Sequence, residues 1–370
     1  MTPPTVSAAV ASPRPTPSPS PAPSGPYAIA APDAPVSPDD PFHLRPTTEI
    51  PLELGLVATD GYDVRGTRVW LVDLTGATPP HDLLTYTSYS GGSSISRDGR
   101  TVVVSAGDKW DQSLFVGDVL TGAVARIDRG DVTRRPSYPV ISPDGSRIAY
   151  LVSADRWAKQ IWGGRLPAGP FVPLVVAPPG ESFGYGLAFA ADGRFLSYNI
   201  NGRGRVLDLV SGHVYDVGAV ADGYSIRWHP SRPILAVSSP WREEGGWSLT
   251  LFDAERVTFS DVVLSDSGHG GVVAWSASGD AVYSWEAQDC SARTGCARGT
   301  VVQRTLAGRV RPIGDKRING FMFVRRDGTL VTPAWVDGER MVPLVEYPSG
   351  RVLVSFCKRG GIAPECGGFS

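Results

Sequence analysis

The chain has 370 residues, which is enough for one large domain or two ordinary ones, and 42% of them are apolar, which can fill a core. Its formal net charge of −2 excludes the basic field with which proteins recruit nucleic acid or an anionic membrane. No run of 18 apolar residues occurs, so the sequence predicts neither a membrane span nor a secretory signal within the chain. The 43 glycines and 33 prolines, without helical periodicity, favour a turn-rich, all-β fold.

Residues 1–46 differ in composition from the rest of the chain. They hold 14 of the 33 prolines, and Pro alternates there with Arg, Thr, Ser and Ala. Such a segment cannot bury enough apolar surface to offset its ordering entropy, so we expect a disordered, extended tether before a domain at residues 47–370. Because such tethers often follow a signal or lipid anchor in envelope proteins, we expect that the sequence is truncated at its start or represents a mature form.

Residues 50–85 predict a first unit without a marked hairpin. Residues 52–58 suit one strand, and residues 67–74 suit another, which ends at Thr75-Gly76. The clearest motif follows at residues 140–150, VISPDGSRIAY. Two apolar runs flank its Ser-Pro-Asp-Gly turn, in which Pro presets φ and Gly accepts a positive φ. This pattern predicts a β-hairpin.

The hairpin recurs in altered form along the chain. Variants occupy residues 95–104, 189–198, 228–237, 275–284 and 323–332. Aligned on the turn, the repeats are 46, 48, 39, 47 and 49 residues apart, at Asp98, Asp144, Asp192, Ser231, Ser278 and Asp327. Each hairpin is followed by a third apolar run, a turn and a fourth run. A period in the forties with four short strands per unit is typical of β-propeller blades.

The turn Ser142-Pro143-Asp144-Gly145 resembles the repeat of the TolB-type, WD40-like propeller family, and the resemblance covers roughly residues 50–356. It implies four-stranded antiparallel blades and, as for family members, a role as an envelope scaffold. Six marked units and the partial first unit predict seven blades; a six-bladed ring with an extra N-terminal sheet is the alternative. We expect C-terminal strands to pair with N-terminal ones and so to close the ring.

The four cysteines form two local pairs, Cys290 with Cys296 and Cys357 with Cys366. Local disulfides are the simplest of the three connectivities, and they would require an oxidising compartment. Free thiols are the alternative, and they would favour a cytosolic scaffold. We predict no metal site, because neither spacing suits zinc and no His is close in sequence.

No motif that carries catalysis is found in the sequence. A G-x-S-x-G elbow and a Gly-rich phosphate loop are absent, so we predict no catalytic residue and no cofactor. The repeated turn acids, and His229 at the position of a turn Ser, suit structure rather than chemistry. If the chain were a lyase or hydrolase of glycans, its channel carboxylates would come from Asp131, Glu181, Asp222, Asp266 and Asp315.

Aromatic and Arg residues are concentrated in loops that a propeller gathers at one mouth of its channel. The loops within blades hold Trp110, Trp157 and Trp241, and those between blades hold Arg134, Arg135, Tyr138, Phe183, Tyr185, Tyr224 and His269. Such residues in exposed loops are typical of recognition surfaces, although some would instead pack between blades. We therefore predict a monomeric, non-enzymatic scaffold outside the cytoplasm that binds a protein or peptide there. The glycan-active enzyme is the alternative.

Overall fold

The computed structural model describes residues 42–61, 66–86, 92–107, 112–129, 133–153, 157–167, 169–184, 186–220, 226–240, 247–265, 269–287, 290–291, 295–296, 300–314, 323–333 and 341–357. These residues form seven four-stranded antiparallel sheets, which are the blades of a ring, and they include no helix. The predicted all-β propeller with seven blades is confirmed, and the six-bladed alternative is wrong.

The strands are numbered in chain order. Blade one contains β1 (Phe42–Leu44), β2 (Leu54–Gly61), β3 (Gly66–Asp73) and β4 (His81–Tyr86). Blade two contains β5 (Gly92–Ile95), β6 (Thr101–Ala106), β7 (Ser113–Asp118) and β8 (Val124–Arg129). Blade three contains β9 (Arg135–Ile141), β10 (Arg147–Ser153), β11 (Ala158–Arg165) and β12 (Val172–Val176). Blade four contains β13 (Ala188–Phe189), β14 (Phe195–Ile200), β15 (Arg203–Asp208) and β16 (Val214–Ala219).

The remaining three blades follow the same plan. Blade five contains β17 (Ile226–Trp228), β18 (Ile234–Pro240), β19 (Trp247–Asp253) and β20 (Thr258–Ser265). Blade six contains β21 (His269–Trp275), β22 (Ala281–Ala287), β25 (Thr300–Thr305) and β26 (Val310–Gly314), and the short hairpin of β23 (Cys290–Ser291) and β24 (Gly295–Cys296) is inserted between its second and third strands. Blade seven contains β27 (Phe323–Val324), β28 (Leu330–Pro333), β29 (Met341–Tyr347) and β30 (Val352–Cys357).

The predicted turn between the first two strands of a blade is fixed by its own side chains. In blade three, the Ser142 hydroxyl donates to Asp144 at 2.5 Å and accepts from the Arg147 backbone N–H at 2.9 Å. Gly145 N–H donates to the Ser142 carbonyl at 2.8 Å, and the φ of Gly145 is +71°. A residue without Cβ adopts this φ at no steric cost, which explains why the motif ends in Gly.

His229 takes the place of the turn Ser in blade five. It is 2% exposed, and its Nδ1 accepts from the backbone N–H groups of Ser231 and Arg232 at 3.0 Å each. Its Nε2 lies 2.9 Å from the Gly279 carbonyl of blade six and 3.2 Å from Nε of Arg232. Burial and the positive charge of Arg232 lower the pKa of His229, so the ring is neutral. The predicted turn role is confirmed, and the turn also connects two blades.

The core is divided among the junctions between blades. Seven clusters of buried apolar side chains occupy the seven junctions of neighbouring blades, including the junction of blades seven and one. Between blades two and three, for example, Val103 and Val116 share a cluster with Ile148 and Tyr150. Both faces of each sheet are therefore covered by neighbours, which is why the central strands are almost continuously apolar.

The ring closes by side-chain packing and not by the strand pairing that we expect from the sequence. β1 pairs with β4 inside blade one, and β30 pairs with β29 inside blade seven. Trp70 of blade one shares a cluster with Val331 and Leu344 of blade seven, and Glu53 accepts a hydrogen bond from the Arg326 backbone N–H at 3.2 Å. The expectation is wrong because β1 supplies the fourth strand of its own blade.

Residues 42–46, which the sequence places in the tether, take part in the fold. Leu44 in β1 is 7% exposed, and Arg45 donates to the Asp82 carboxylate at 2.9 Å. The predicted boundary at residue 46 is therefore corrected: the described part of the domain begins at Phe42. The proline-rich composition hides β1, because three residues are too few to produce a periodic pattern.

Candidate functional site

The antiparallel order of the strands gives every blade two different ends. The turns between first and second strands and between third and fourth strands lie at one end, here called the turn face. The loops within blades and the connections between blades lie at the opposite end, here called the loop face. From the sequence, we expect the predicted binding residues at this loop face.

Several predicted residues cannot be placed in the fold. Those that lie outside the described residues are Trp110, Tyr185, Tyr224, Trp241, Cys366 and the candidate acids Asp131, Asp222, Asp266 and Asp315. His269 is the first residue of β21, the inner strand of blade six, and pairs with Ala287. The other predicted loop-face residues all belong to blade three and its junctions with blades two and four.

Arg134 is engaged within the protein. Its guanidinium donates two hydrogen bonds to Asp128 of blade two, at 2.7 and 2.6 Å, and lies 4.2 Å from the ring centre of Trp162. Asp128 also accepts from the Tyr150 hydroxyl at 2.6 Å. Burial and the Asp128 carboxylate raise the pKa of Tyr150 far above its usual range, so the hydroxyl keeps its proton. Arg134 thus joins blade two to blade three beneath the loop face.

Two predicted aromatic residues pack between blades three and four. Phe183 is 5% exposed and meets Tyr198 edge to face, with ring centres 5.6 Å apart. Tyr138 is half-buried against the same cluster and has a φ of +49°, beside an irregularity in the pairing of β9 with β10. Arg135, the first residue of β9, is also half-buried. Phe183 and Tyr138 therefore contribute packing at this junction.

Trp157 projects from the protein. It is 61% exposed and immediately precedes β11, at the loop-face end of blade three. An indole exposed to this degree leaves a large apolar area in contact with water, which is the arrangement found at recognition sites. Among the predicted residues in the described part of the chain, Trp157 has the surroundings that the binding hypothesis requires.

The structure adds exposed apolar residues of blade three that sequence reasoning missed. β12 is the edge strand of blade three, and Val176 at its loop-face end is 60% exposed and pairs with Gln160, three residues after Trp157. Val172 at its other end is 46% exposed. We call this surface the blade-three rim, and it consists of the exposed residues Trp157, Val172, Pro173, Val176, Pro178 and Pro179.

All residues of the rim except Trp157 lie in an uncharged stretch of the sequence. No Asp, Glu, Lys or Arg occurs in the fifteen residues 166–180, LPAGPFVPLVVAPPG. The outer strands of blades two, four, five and six each carry charge, for example Arg126, Asp216, Asp261 and Arg311. Charged residues on edge strands protect a protein from unwanted association. β12 lacks them, as do β1 of blade one and β30 of blade seven, so blade three differs in this respect from its two neighbours, blades two and four. The uncharged run is the signal that could have revealed the rim.

The cysteine pair of blade six is brought together by a hairpin. Cys290 and Cys296 are directly opposite partners in the antiparallel pairing of β23 with β24. Cys357 is the last residue of β30 and pairs with Met341. Within the described residues, no group of three or more His, Cys, Asp and Glu side chains is arranged to hold a metal ion. A search of the same residues for a helix long and apolar enough to cross a membrane finds none.

Comparison with known proteins supports the fold alone. No protein-family model matches the chain, and no curated protein is detectably similar to it. A functionally unknown protein from Desulfotomaculum acetoxidans shares the fold with a TM-score of 0.55 at 14% identity, over 84% of this chain and 98% of that chain. Oligogalacturonate lyase from Vibrio parahaemolyticus gives 0.51 at 11% identity, over 82% and 85%.

TolB from Acinetobacter baumannii is also among the similar structures, with a TM-score of 0.45 at 10% identity, over 82% of this chain and 61% of that chain. The chain thus spans less than two thirds of the TolB structure. The propeller fold that the repeat motif predicts is confirmed, and TolB is among the structures that share it. The chain is a seven-bladed β-propeller, a class whose members include both binding proteins and enzymes.

Proposed function

We propose that the chain is a binding module that recognises a protein partner at the blade-three rim. The observation that carries this proposal is the exposure of Trp157 and Val176 at one end of an uncharged edge strand. Exposed apolar surface of this kind mostly marks sites of protein association. Aromatic side chains that become fully buried by a partner dominate the energy of such interfaces.

The strands beneath the rim are held firmly. β11 and β10 pair along seven residue pairs, and Arg134 stacks on Trp162 in β11 while it binds Asp128 of blade two. A rigid surface loses little conformational entropy when a partner binds, which favours affinity. Arg134 thus serves the site as a support, whereas Trp157 is the residue that we expect the partner to contact.

The enzyme alternative has less support from the described residues. Of the five candidate acids only Glu181 is described, and it is half-buried, with its carbonyl oxygen accepting a hydrogen bond from Lys159 Nζ at 2.6 Å. A glycosidase needs two carboxylates that flank the scissile bond. The similarity to oligogalacturonate lyase extends to the fold alone.

We further propose that the chain works outside the cytoplasm and that Cys290 and Cys296 form a disulfide. Opposite residues of an antiparallel pair have Cα atoms about 4.5–5.5 Å apart, which suits the range of about 4.4–6.8 Å for a disulfide. Mass spectrometry of the secreted protein after alkylation without reductant should find both cysteines unlabelled. Labelling of both would contradict the disulfide and would favour a reducing compartment.

Site-specific photo-crosslinking tests the binding function. A photoreactive phenylalanine would replace Val176 in the rim, and a control chain would carry it at Val310, which is 57% exposed on the outer strand of blade six. Irradiation in the native cells should give a discrete adduct from position 176 and none from position 310. Equal adducts from both positions, or none from either, would overturn the proposal. An adduct of twice the chain mass would identify a second copy as the partner.

A further inference from the structure

A pocket of about 600 Å³ opens on the turn face at the junction of blades one and seven. This volume lies within the range of about 300–1,000 Å³ that is usual for small-molecule sites. Its walls are the segment 47–53 that connects β1 to β2, the turn between β3 and β4, and Arg326 of blade seven. The blade-three rim contributes no residue to it.

The pocket results from the way in which the ring closes. In blade one the chain leaves β1, next to β4, and crosses the end of the sheet to reach β2 at the opposite edge. The other blades connect their strands in chain order and have no such crossing segment. Segment 47–53 therefore roofs a space beside the turn between β3 and β4.

Three hydroxyl groups in the pocket wall can accept hydrogen bonds but have already used their protons. Thr47 donates to the Glu49 carbonyl at 2.9 Å, and Thr75 and Thr78 donate to the Asp73 carboxylate at 2.7 and 3.2 Å. A hydroxyl has one proton and two lone pairs, so each of these oxygens still has a lone pair for a ligand. This part of the wall therefore favours a ligand that is rich in donors.

The charges of the wall are mixed. Glu49 is exposed on the crossing segment, whereas Arg326 belongs to blade seven, and Glu53 and Asp73 add two more carboxylates. An anionic ligand would be repelled by the three carboxylates. A protonated amine would be repelled by the guanidinium and could not accept a hydrogen bond from it. A hydroxyl group both donates to a carboxylate and accepts from a guanidinium, so it matches both kinds of charge.

The wall also contains apolar surface. The rings of Pro51, Pro79 and Pro80 line the pocket between the polar groups. Sites for small ligands combine apolar walls with a few polar groups that fix the orientation of the ligand. We propose that this pocket binds a neutral polyhydroxylated ligand, of the size of a mono- or disaccharide, and that the bound ligand joins blade one to blade seven.

The test is saturation-transfer-difference NMR on the whole chain with three neutral disaccharides, which are trehalose, maltose and N,N′-diacetylchitobiose. At least one should receive saturation, and a saturating concentration should raise the thermal midpoint of unfolding, because the ligand binds the closed ring. In the double variant Glu49→Ala, Arg326→Ala the affinity should fall at least tenfold. The control Arg203→Ala, at an exposed residue in the third strand of blade four, should bind as the wild type does.

Three results would overturn the proposal. One is that none of the three sugars receives saturation. Another is that the double variant binds the sugar as tightly as the wild type does, since the sugar would then bind elsewhere. The third is displacement of the sugar by 1,4-diaminobutane, which would assign the pocket to amines. Because Glu49 is exposed and its hydrogen bonds with the Thr47 hydroxyl are made by its own backbone carbonyl and N–H, the double variant should unfold at the same temperature as the wild type without ligand. These readouts are independent of Trp157.

Discussion

Blades three and four are neighbours with the same repeat, yet their outer strands differ in chemistry. β12 of blade three has no charge and exposes Val176, whereas β16 of blade four carries Asp216, which is paired with Arg203 at 2.6 Å. The inner frame is the same in both, since the turn glycines Gly145 and Gly193 have φ values of +71° and +66°. The repeat thus determines the turns and the core, while the outer strand is left to vary, so function is best sought there.

The largest expected loss of stability comes from substitution of the turn glycines that blades three and four share. Gly145→Val and Gly193→Val should each lower the free energy of unfolding by about 2 kcal/mol or more, because a β-branched residue is strained at a positive φ. Urea denaturation would measure it. The control is Ala191→Val, in the same turn as Gly193 but without a positive φ. If all three variants unfolded at one urea concentration, the common turn frame would be refuted.

A smaller effect distinguishes the ion pairs of the two blades. Arg134→Met leaves the Asp128 carboxylate, whose side chain is 9% exposed, without its cation and should destabilise the fold by about 2 kcal/mol. Arg203→Met removes a cation from Asp216, whose side chain is 42% exposed, and should cost less than about 0.5 kcal/mol. The same denaturation experiment compares them. Equal losses would mean that Arg134 does not brace the junction of blades two and three.

A substitution in the blade-three rim should weaken partner binding and leave the free energy of unfolding nearly unchanged. Trp157→Ala removes the exposed indole and should lower the crosslinking yield from position 176 at least tenfold, which corresponds to about 1.4 kcal/mol of binding free energy. Its free energy of unfolding should stay within about 0.5 kcal/mol of the wild-type value, since exposed side chains contribute little to the core. An unchanged yield would show that Trp157 is not part of the interface.

The smallest effect is the pH dependence of the exposed pair in blade four. Burial raises the pKa of Asp216, but hydrogen bonds from Arg203, Arg205 and the Gly218 N–H outweigh it and lower the pKa to about 2. A lowered pKa stabilises the fold above the unfolded value near 4, and this stability is lost as the pH falls from about 4 to 2. The stability difference between wild type and Asp216→Asn should thus be present at pH 7 and vanish near pH 2. A difference that is the same at both pH values would contradict the assignment.

The hairpin turns and the number of blades could be predicted because their causes are local. Ser142, Asp144 and Gly145 bond to one another within four residues, so the turn is encoded where it forms. His229 could be assigned to a turn on the same ground. Its bond to Gly279, fifty residues further along the chain, could not be foreseen, because it depends on how two blades stack.

The site was harder to predict because burial is decided across blades. Arg134 and Phe183 have the composition of a recognition surface, but Asp128 of blade two and Tyr198 of blade four engage them. The uncharged run at residues 166–180 was visible in the sequence. Its position on an edge strand depended on the order of strands in the sheet, and without that order an apolar run predicts a core strand as readily as a rim.

The most direct test of the central claim is to give blade three the charged edge of its neighbours. Three chains would be isolated from the native cells under identical conditions: the wild type, Val176→Lys in the rim, and Val310→Lys on the equally exposed outer strand of blade six. We predict that one partner protein accompanies the wild type and Val310→Lys and is lost with Val176→Lys. Retention of the partner by Val176→Lys, or equal loss from both variants, would contradict a binding site at the blade-three rim.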